Sequence, residues 1–267
     1  MNGIQAIILI TFVTIIGCGK ERYEPTLPVQ EPVENHLDIS WQIQYSGNLE
    51  TSLDVERYHI DLFDNSKEVV SLLHSKGIKV YCYINVGAWE NWRPDKNKFP
   101  QHIIGLPYEG WSGEWWLDIR QVDELAPIMR ARFDQCRDKG FDGMEPDNID
   151  GYDNDTGFNI TYSDQIRYNT WIAEEAHKRG LTIGLKNDAG QVIDLLPYFD
   201  WAIIEDCFVY GGCDKFTPFI INNKPVFAIE YTDTGIKPEQ FCPQANSMNF
   251  NAILKNRNLD AYRLPCR

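Results

Sequence analysis

From residue 37 onward, short runs of apolar and β-branched residues alternate with longer segments whose apolar residues recur at helical spacing. This alternation is typical of parallel α/β folds. Eight runs are predicted as strands: 40–45, 59–63, 79–86, 141–146, 181–185, 201–204, 226–231 and 259–263. The predicted helices cover residues 65–76, 123–139, 164–179 and 249–256. Residues 87–118 are predicted as a long loop.

Eight strands separated mostly by helices favour a closed barrel over an open, doubly wound sheet. No glycine-rich nucleotide fingerprint follows the first strand, which also argues against the doubly wound fold. The chain has 267 residues, with 43% hydrophobic and 24% charged residues, as in an ordinary globular protein. The sequence therefore predicts an α/β protein with one domain, a (β/α)8 TIM barrel over residues 37–267, close to the usual barrel size of about 250 residues.

The first 17 residues carry no charged side chain, and residues 7–16 are almost continuously apolar. The run is shorter than the roughly 20 residues of a membrane-spanning helix and is typical of a signal peptide. It ends in Ile15-Ile16-Gly17-Cys18, which resembles the lipobox of bacterial lipoproteins. We predict cleavage before Cys18, lipidation of Cys18, and a proline-containing flexible tether over residues 18–36. An ordinary signal peptide cut nearby, with a secreted product, is the alternative.

The seven cysteines also fit an exported protein, in which disulfides are permitted. Cys207 and Cys213 are close enough in sequence to staple one loop, and Cys242 with Cys266 could tie the C-terminal tail. Cys82 alternates with apolar residues in a predicted strand, so we expect a buried thiol there. The few scattered histidines and the lack of a Cys-x-x-Cys pair predict no metal site, and we expect no cofactor.

The formal net charge is −14, from 39 acidic and 25 basic residues. An acidic surface repels nucleic acid and attracts cationic ligands. We therefore expect no nucleic-acid partner, and we expect the chain to be a monomer.

The candidate chemistry lies where the predicted strands end, because barrel enzymes build their sites at the carboxyl ends of the strands. Carboxylates recur there, most densely in the segment 145–150 after the fourth strand. Like charges held close together raise the pKa of some carboxyl groups, which suits a general acid. Glycosidases usually need two carboxyl groups that flank the scissile bond. A single loop acid could equally be a solvated helix cap.

Four segments carry a family resemblance: YCYINVG at 81–87 followed by Trp89-Glu90, DGMEPDNIDGY at 142–152, GLKND at 184–188, and IEDCF at 204–208. They resemble glycoside hydrolase family 114, over roughly residues 38–266. The resemblance implies a barrel enzyme related to endo-α-1,4-polygalactosaminidases, which cleave α-1,4-linked galactosamine chains. The fourth-strand segment is the most distinctive of the four.

The resemblance also implies a catalytic pair, an Asp on the fourth strand and a Glu on the sixth. These map to Asp147 as the nucleophile and Glu205 as the general acid/base of a retaining mechanism, in which the carboxyl groups lie about 5–5.5 Å apart. A separation of about 6.5–9.5 Å would imply inversion instead. Glu145 points to the same side of the strand as Asp147 and is the main competitor, although an orienting role fits it better.

Further residues are expected to bind the substrate. Carboxylates of Asp61, Asp150 and Asp188 could pair with ammonium groups, and Tyr83, Asn85 and Asn187 could bind sugar hydroxyls. Lys186 could keep a neighbouring carboxylate ionised or form a salt bridge to Asp147 or Glu145. Tyr231 lies at the end of the seventh strand, and Trp89, with Trp92 and Trp116, could stack on sugar rings.

Two alternatives remain open. The barrel could cleave another α-linked polysaccharide, or the chain could be a surface lipoprotein that binds sugars without cleaving them. A metal-dependent deacetylase lacks the expected His/Asp ligand cluster.

Overall fold

A computed structural model describes residues 37–267 of the chain. The predicted signal peptide (1–17), the lipidation site Cys18 and the tether (18–36) lie outside the described residues. Within residues 37–267 the strands are β1 (Trp41–Gln44), β2 (Arg57–Asp61), β3 (Lys79–Asn85), β4 (Ala88–Glu90), β5 (Ile104–Pro107), β6 (Glu114–Leu117), β7 (Gly143–Asp147), β8 (Thr182–Lys186), β9 (Trp201–Glu205), β10 (Val226–Tyr231), β11 (Asn251–Lys255) and β12 (Leu264–Pro265). The α-helices are α1 (Lys67–His74), α2 (Val122–Lys139), α3 (Tyr162–His177), α4 (Val192–Leu195), α5 (Cys207–Tyr210), α6 (Thr217–Ile221) and α7 (Pro238–Ser247).

The main sheet confirms the predicted (β/α)8 class. Its eight parallel strands follow one another in chain order, β1-β2-β3-β7-β8-β9-β10-β11, and β12 adds an antiparallel edge to β11. Side chains join the first and last parallel strands. The indole Nε1 of Trp41 donates to the Asn251 carbonyl at 2.9 Å, and Lys255 Nζ donates to Gln42 Oε1 at 3.0 Å.

The prediction was wrong for the last β/α unit. Residues 251–255, predicted as helix, are strand β11, and the predicted strand 259–263 lies outside every strand. The helix of this unit is α7, which buries only Phe241 and Ala245 and therefore has little apolar periodicity. All five residues of β11 are buried, and a buried apolar run of that length fits a helix or a strand equally well.

The predicted long loop contains a second sheet, which we call the loop sheet (residues 88–117), with antiparallel strand order β4-β6-β5. Arg132 of α2 fixes this segment to the barrel. Its guanidinium donates to both carboxylate oxygens of Asp95 at 2.8 and 2.9 Å and to the Asn85 carbonyl at 2.7 Å. Because Arg132 is fully buried, the loop sheet has a fixed position over the end of β3.

An aromatic layer fills the interior of the barrel. The rings of Trp41, Tyr81, Trp201 and Phe227 surround the imidazole of His59, with centroid distances of 5.0 to 5.9 Å. All five side chains are buried. The barrel is therefore packed below this level, and an opening for substrate is left only at the carboxyl ends of the strands.

Three disulfides link the six cysteines of the described region. Cys207–Cys213 and Cys242–Cys266 pair as predicted, but Cys82 is bonded to Cys136 rather than free. Cys82 belongs to the cluster between barrel and helices, whereas its neighbour Tyr81 points into the barrel, so the Cys82 sulfur faces α2. Such bonds form in oxidising compartments. None of the helices within residues 37–267 is long and apolar enough to cross a membrane.

Candidate active site

A cavity of about 330 Å³ opens at the carboxyl ends of the barrel strands. Successive strands β7, β8, β9 and β10 contribute Asp147, Lys186, Glu205 and Tyr231 to its wall, and Tyr83 enters from β3. The loop sheet and its turns cover one side. The cavity therefore occupies the position at which barrel enzymes build their active sites.

Two carboxylates converge on one buried ammonium group in this cavity. Lys186 Nζ lies 3.3 Å from Glu205 Oε2 and 3.8 Å from Asp147 Oδ1. The two distances together limit the gap between these oxygens to about 7 Å, compared with about 5–5.5 Å in retaining and about 6.5–9.5 Å in inverting enzymes. The pair predicted from the sequence therefore shares one ammonium group, and the upper limit of about 7 Å is compatible with either mechanism.

Lys186 also contacts a second layer of buried groups. Its Nζ donates to Glu145 Oε1 at 2.8 Å, and His59 Nδ1 lies 2.5 Å from Glu145 Oε2. Burial raises the pKa of Glu145, but the charge of Lys186 and the bond to His59 outweigh it and lower that pKa to about 2. Burial lowers the pKa of Lys186, but its carboxylate neighbours raise it well above the usual value. Glu145 and Lys186 thus form an ion pair beneath the catalytic carboxylates.

The two candidate catalytic carboxyls differ in their donors. Tyr83 Oη donates to Asp147 Oδ2 at 2.8 Å, whereas Glu205 accepts from Tyr231 Oη and, at 3.1 Å, from Asn187 Nδ2. Burial and the nearby Glu205 charge raise the pKa of Asp147 despite Lys186. Burial also acts to raise the pKa of Glu205, but Lys186, Tyr231 and Asn187 together lower it. Of the two carboxyls, Asp147 therefore holds a proton more readily, the reverse of the order expected from the sequence.

The chain bends sharply where the catalytic strands end. Asn148, Asn187 and Asp206, which follow β7, β8 and β9, all have left-handed backbones, with φ of 60°, 54° and 56°. Asn and Asp adopt this conformation more readily than other non-glycine residues. At β7 the bend also requires Gly87, since a Cβ there would lie 1.6 Å from the Asn148 carbonyl oxygen. These motif residues aim the carboxylates into the cavity.

Most of the predicted substrate-binding residues line this cavity: Asp61, Tyr83, Asp150, Lys186, Asn187 and Tyr231. Asp61 is already paired, because Arg93 Nη2 lies 2.7 Å from its Oδ2. Asp150 has no ion pair among the described residues, and burial together with the Asp147 charge raises its pKa to about 6. Trp92 also lines the cavity and is 49% exposed.

Four predicted residues do not line the cavity. Glu145 is fully buried beneath it, and Asn85 is buried against the loop sheet, where it donates to Glu114 and accepts from the Ala88 amide. Asp188 points away from the cavity and accepts from Asn169 Nδ2 at 3.0 Å. Burial and the Asp150 charge raise its pKa to about 9.

Trp89 is the fourth predicted residue outside the cavity lining. Its indole donates to the Lys96 carbonyl, and its ring packs on Trp115. Trp116, a third tryptophan suggested by the sequence, is buried against Tyr108. Neither ring lines the cavity, in contrast to those of Trp92 and Trp111.

Sequence reasoning missed several cavity residues: Tyr45, Tyr108, Trp111, Glu114, Asn148 and Arg257. Tyr45 and Asn148 follow barrel strands directly, so the strand-end rule could have found them. Trp111, Tyr108 and Glu114 lie in the loop sheet, whose pairing no local pattern announced. Within residues 37–267 no group of three His, Cys, Asp or Glu side chains is placed to hold a metal ion.

A (β/α)8 barrel with two convergent carboxylates at its carboxyl end has the architecture of a glycoside hydrolase. The profile of Glycoside-hydrolase family GH114 matches residues 24–267, and the chain belongs to this family of glycoside hydrolases. No curated protein sequence matches the chain.

The solved structures similar to the chain include those of two further glycoside hydrolases. Ega3 of Aspergillus fumigatus, solved as a complex with galactosamine, is 38% identical, with a TM-score of 0.84 over 90% of this chain and 99% of that chain. The glycoside hydrolase domain of PelA from Pseudomonas aeruginosa is 13% identical, with a TM-score of 0.67 over 84% of this chain and 97% of that one. PelA supports the fold alone.

Proposed function

We propose that the chain is an endo-acting glycoside hydrolase that cleaves α-1,4-linked galactosamine-containing polysaccharide. The observation that carries the proposal is the convergence of Asp147 and Glu205 on Lys186 in an open cavity. The similarity to Ega3, solved with galactosamine, supports the choice of sugar. The two half-exposed tryptophans at the cavity, Trp92 and Trp111, provide faces on which a polymer can lie.

The proposed mechanism is retaining and uses the two carboxylates in turn. Asp147 attacks the anomeric carbon while the bond to the glycosidic oxygen breaks, and Glu205 gives its proton to that oxygen. Glu205 then removes a proton from water, whose oxygen displaces Asp147 from the sugar. Because both carboxylates lie beside one lysine, which Glu145 also shares, a proton between them belongs to the pair, and a bound sugar can move it from Asp147 to Glu205. We therefore keep the order of roles expected from the sequence.

The proposal is tested by incubating the purified domain with α-1,4-galactosamine polymer and with a panel of other α-linked glycans. We expect reducing ends and short oligosaccharides from the galactosamine polymer, and an α-anomer as the first product in NMR. Asp147→Asn and Glu205→Gln should each lower kcat at least 10³-fold while the protein still binds polymer. Glu239→Gln, on the exposed first turn of α7, is the matched control and should retain full activity.

Each alternative has its own outcome. Cleavage of a different α-linked glycan would reassign the substrate, and a β-anomeric first product would replace retention with inversion. Binding without any cleavage by the wild-type protein would leave the carbohydrate-binding lipoprotein as the function.

We further propose that the enzyme is exported and held at a membrane through lipidated Cys18. The apolar run 7–16 and the following Cys18 support this arrangement, and the three disulfides fit an oxidising compartment. Mass spectrometry of the mature protein should find a diacylated cysteine at its N-terminus. An unmodified N-terminus near residue 18 would leave a secreted enzyme.

A further inference from the structure

Glu114 of β6 is a buried carboxyl that faces the cavity without a counter-charge. Its side chain is 7% exposed and lines the cavity. One oxygen, Oε2, accepts from Asn85 Nδ2 at 3.1 Å, and no cationic side chain of the described residues forms an ion pair with Glu114. A buried carboxylate without a cation is costly, so this position calls for an explanation.

Three nearby buried acids, Asp61, Glu90 and Glu145, have the cationic partner that Glu114 lacks. Arg93 lies 2.7 Å from both Asp61 and Glu90, and Glu145 pairs with Lys186. In addition, Glu114 stands directly opposite Glu90 across the antiparallel β4–β6 pair. Like charges in that position destabilise a sheet. The sequence therefore keeps an acid at a place that packing and pairing both disfavour.

The charges around Glu114 are mostly negative. The titratable groups that face it from the surrounding elements are Asp147, Glu90, Arg93, Tyr83 and Tyr108. Burial and the charges of Asp147 and Glu90 raise the pKa of Glu114 to about 8, despite Arg93 and the bond from Asn85. With this pKa, the Glu114 carboxyl is largely protonated at neutral pH.

A second polar group of the same wall is also unpartnered. Asn148 lines the cavity, is 6% exposed, and its Nδ2 has no hydrogen-bond partner. Beside Glu114, the wall of the cavity thus contains an amide nitrogen to which no group of the described residues is hydrogen-bonded.

We propose that Glu114 binds the ammonium group of a galactosamine unit next to the catalytic pair and so selects free-amine sugars over N-acetylated ones. The inference rests on the proposed function and adds the residue that reads the amine. An ammonium group supplies the missing counter-charge and favours the ionised form of Glu114, whereas a neutral acetamido group leaves the carboxyl protonated and forms no ion pair. The ion pair gained only with the free amine is the source of the discrimination.

This arrangement couples binding to proton release. A cation favours the ionised form of Glu114, so its pKa falls when the amino sugar binds. Below about pH 8, where the free carboxyl is protonated, binding must expel a proton and affinity rises with pH. Above that pH the carboxyl is already ionised and the rise ends, and the amine later loses its own charge.

The test combines calorimetry with kinetics. Binding of galactosamine, galactose and N-acetylgalactosamine to the wild-type domain is measured at pH 7 in two buffers of different ionisation enthalpy. We expect release of close to one proton per galactosamine and none with the two neutral sugars. In Glu114→Gln, which can still accept from Asn85, the release should disappear and the preference for galactosamine over galactose should fall about tenfold.

Glu109→Gln, an exposed glutamate of the same segment, is the matched control and should behave as the wild type. Equal proton release in Glu114→Gln and wild type, or no release in the wild type, would overturn the role of Glu114. The wild-type measurement needs no variant, so it decides the matter even if the substitution prevents folding. Failure to cleave any galactosamine polymer would instead reject the proposed function, which is a separate result.

Discussion

Each of the two candidate catalytic carboxylates accepts a hydrogen bond from a different tyrosine. Tyr83 donates only to Asp147, and Tyr231 donates only to Glu205, while Lys186 serves both. A donor to the ionised form lowers the pKa of a carboxyl group. Removing one hydroxyl therefore raises the pKa of one known carboxyl and leaves the other nearly unchanged.

Tyr83→Phe and Tyr231→Phe should separate the two roles in the pH profile of kcat/KM. The acid limb reports the nucleophile that must be ionised, and the basic limb reports the acid that must be protonated. With Asp147 as nucleophile, Tyr83→Phe moves the acid limb up by about one pH unit, and Tyr231→Phe moves the basic limb up by a similar amount.

If Tyr231→Phe moved the acid limb and Tyr83→Phe the basic limb, Glu205 would be the nucleophile. That outcome would agree with the raised pKa of Asp147 and the lowered pKa of Glu205. The double variant should move both limbs, because the hydroxyls act on different carboxyls. Tyr210→Phe, on an exposed side chain outside the cavity lining, should leave both limbs in place.

Among the elements, the loop sheet depends on one buried ion pair. Arg132 of α2 holds Asp95 with two hydrogen bonds and the end of β3 with a third. Arg132→Met should lower the free energy of unfolding by about 3–5 kcal/mol, because it leaves the mostly buried Asp95 carboxylate without its partner.

Urea denaturation measures this effect, with Arg167→Met as the matched control. Arg167 is 58% exposed and pairs with Asp164 one turn away on α3, so its loss should cost less than about 1 kcal/mol. Equal midpoints for the two variants would mean that the buried pair does not hold the loop sheet.

The loop sheet also carries the exposed aromatic faces of the cavity. Trp111→Ala should raise KM for long galactosamine polymer by up to about tenfold and leave kcat nearly unchanged, since a ring that stacks on sugar would do so in ground and transition states alike. Trp111→Phe should restore most of the affinity. Leu72→Ala, an exposed apolar residue on α1, is the control, and an equal effect there would exclude stacking at Trp111.

The parts of the fold that local patterns determine were predicted, and the parts that depend on distant pairing were not. Strands β7, β8 and β9 are mostly buried runs followed directly by Asn148, Asn187 and Asp206, so their ends, and with them Asp147 and Glu205, could be located. Glu114 could not be located from the sequence, because its place beside Asn85 depends on the pairing of β4 with β6. The two residues are 29 positions apart. Cys82 was misjudged for the same reason, since its partner Cys136 comes from a helix far along the chain.

At the scale of the whole molecule, the net charge of −14 would attract the substrate if that substrate is a polycation. An acidic protein attracts such a chain from a distance and speeds its association. Salt weakens the attraction because the Debye length falls from about 30 Å at 0.01 M to about 3 Å at 1 M.

The association rate constant of galactosamine polymer should therefore drop about tenfold or more between these two salt concentrations. Partially N-acetylated polymer of the same length carries less charge and should show a shallower slope, while dissociation should change little. Stopped-flow measurements with the Asp147→Asn variant give both rates without turnover. Equal slopes for the two polymers would mean that the acidic surface does not steer the substrate, and that recognition of the amine is confined to contacts inside the cavity.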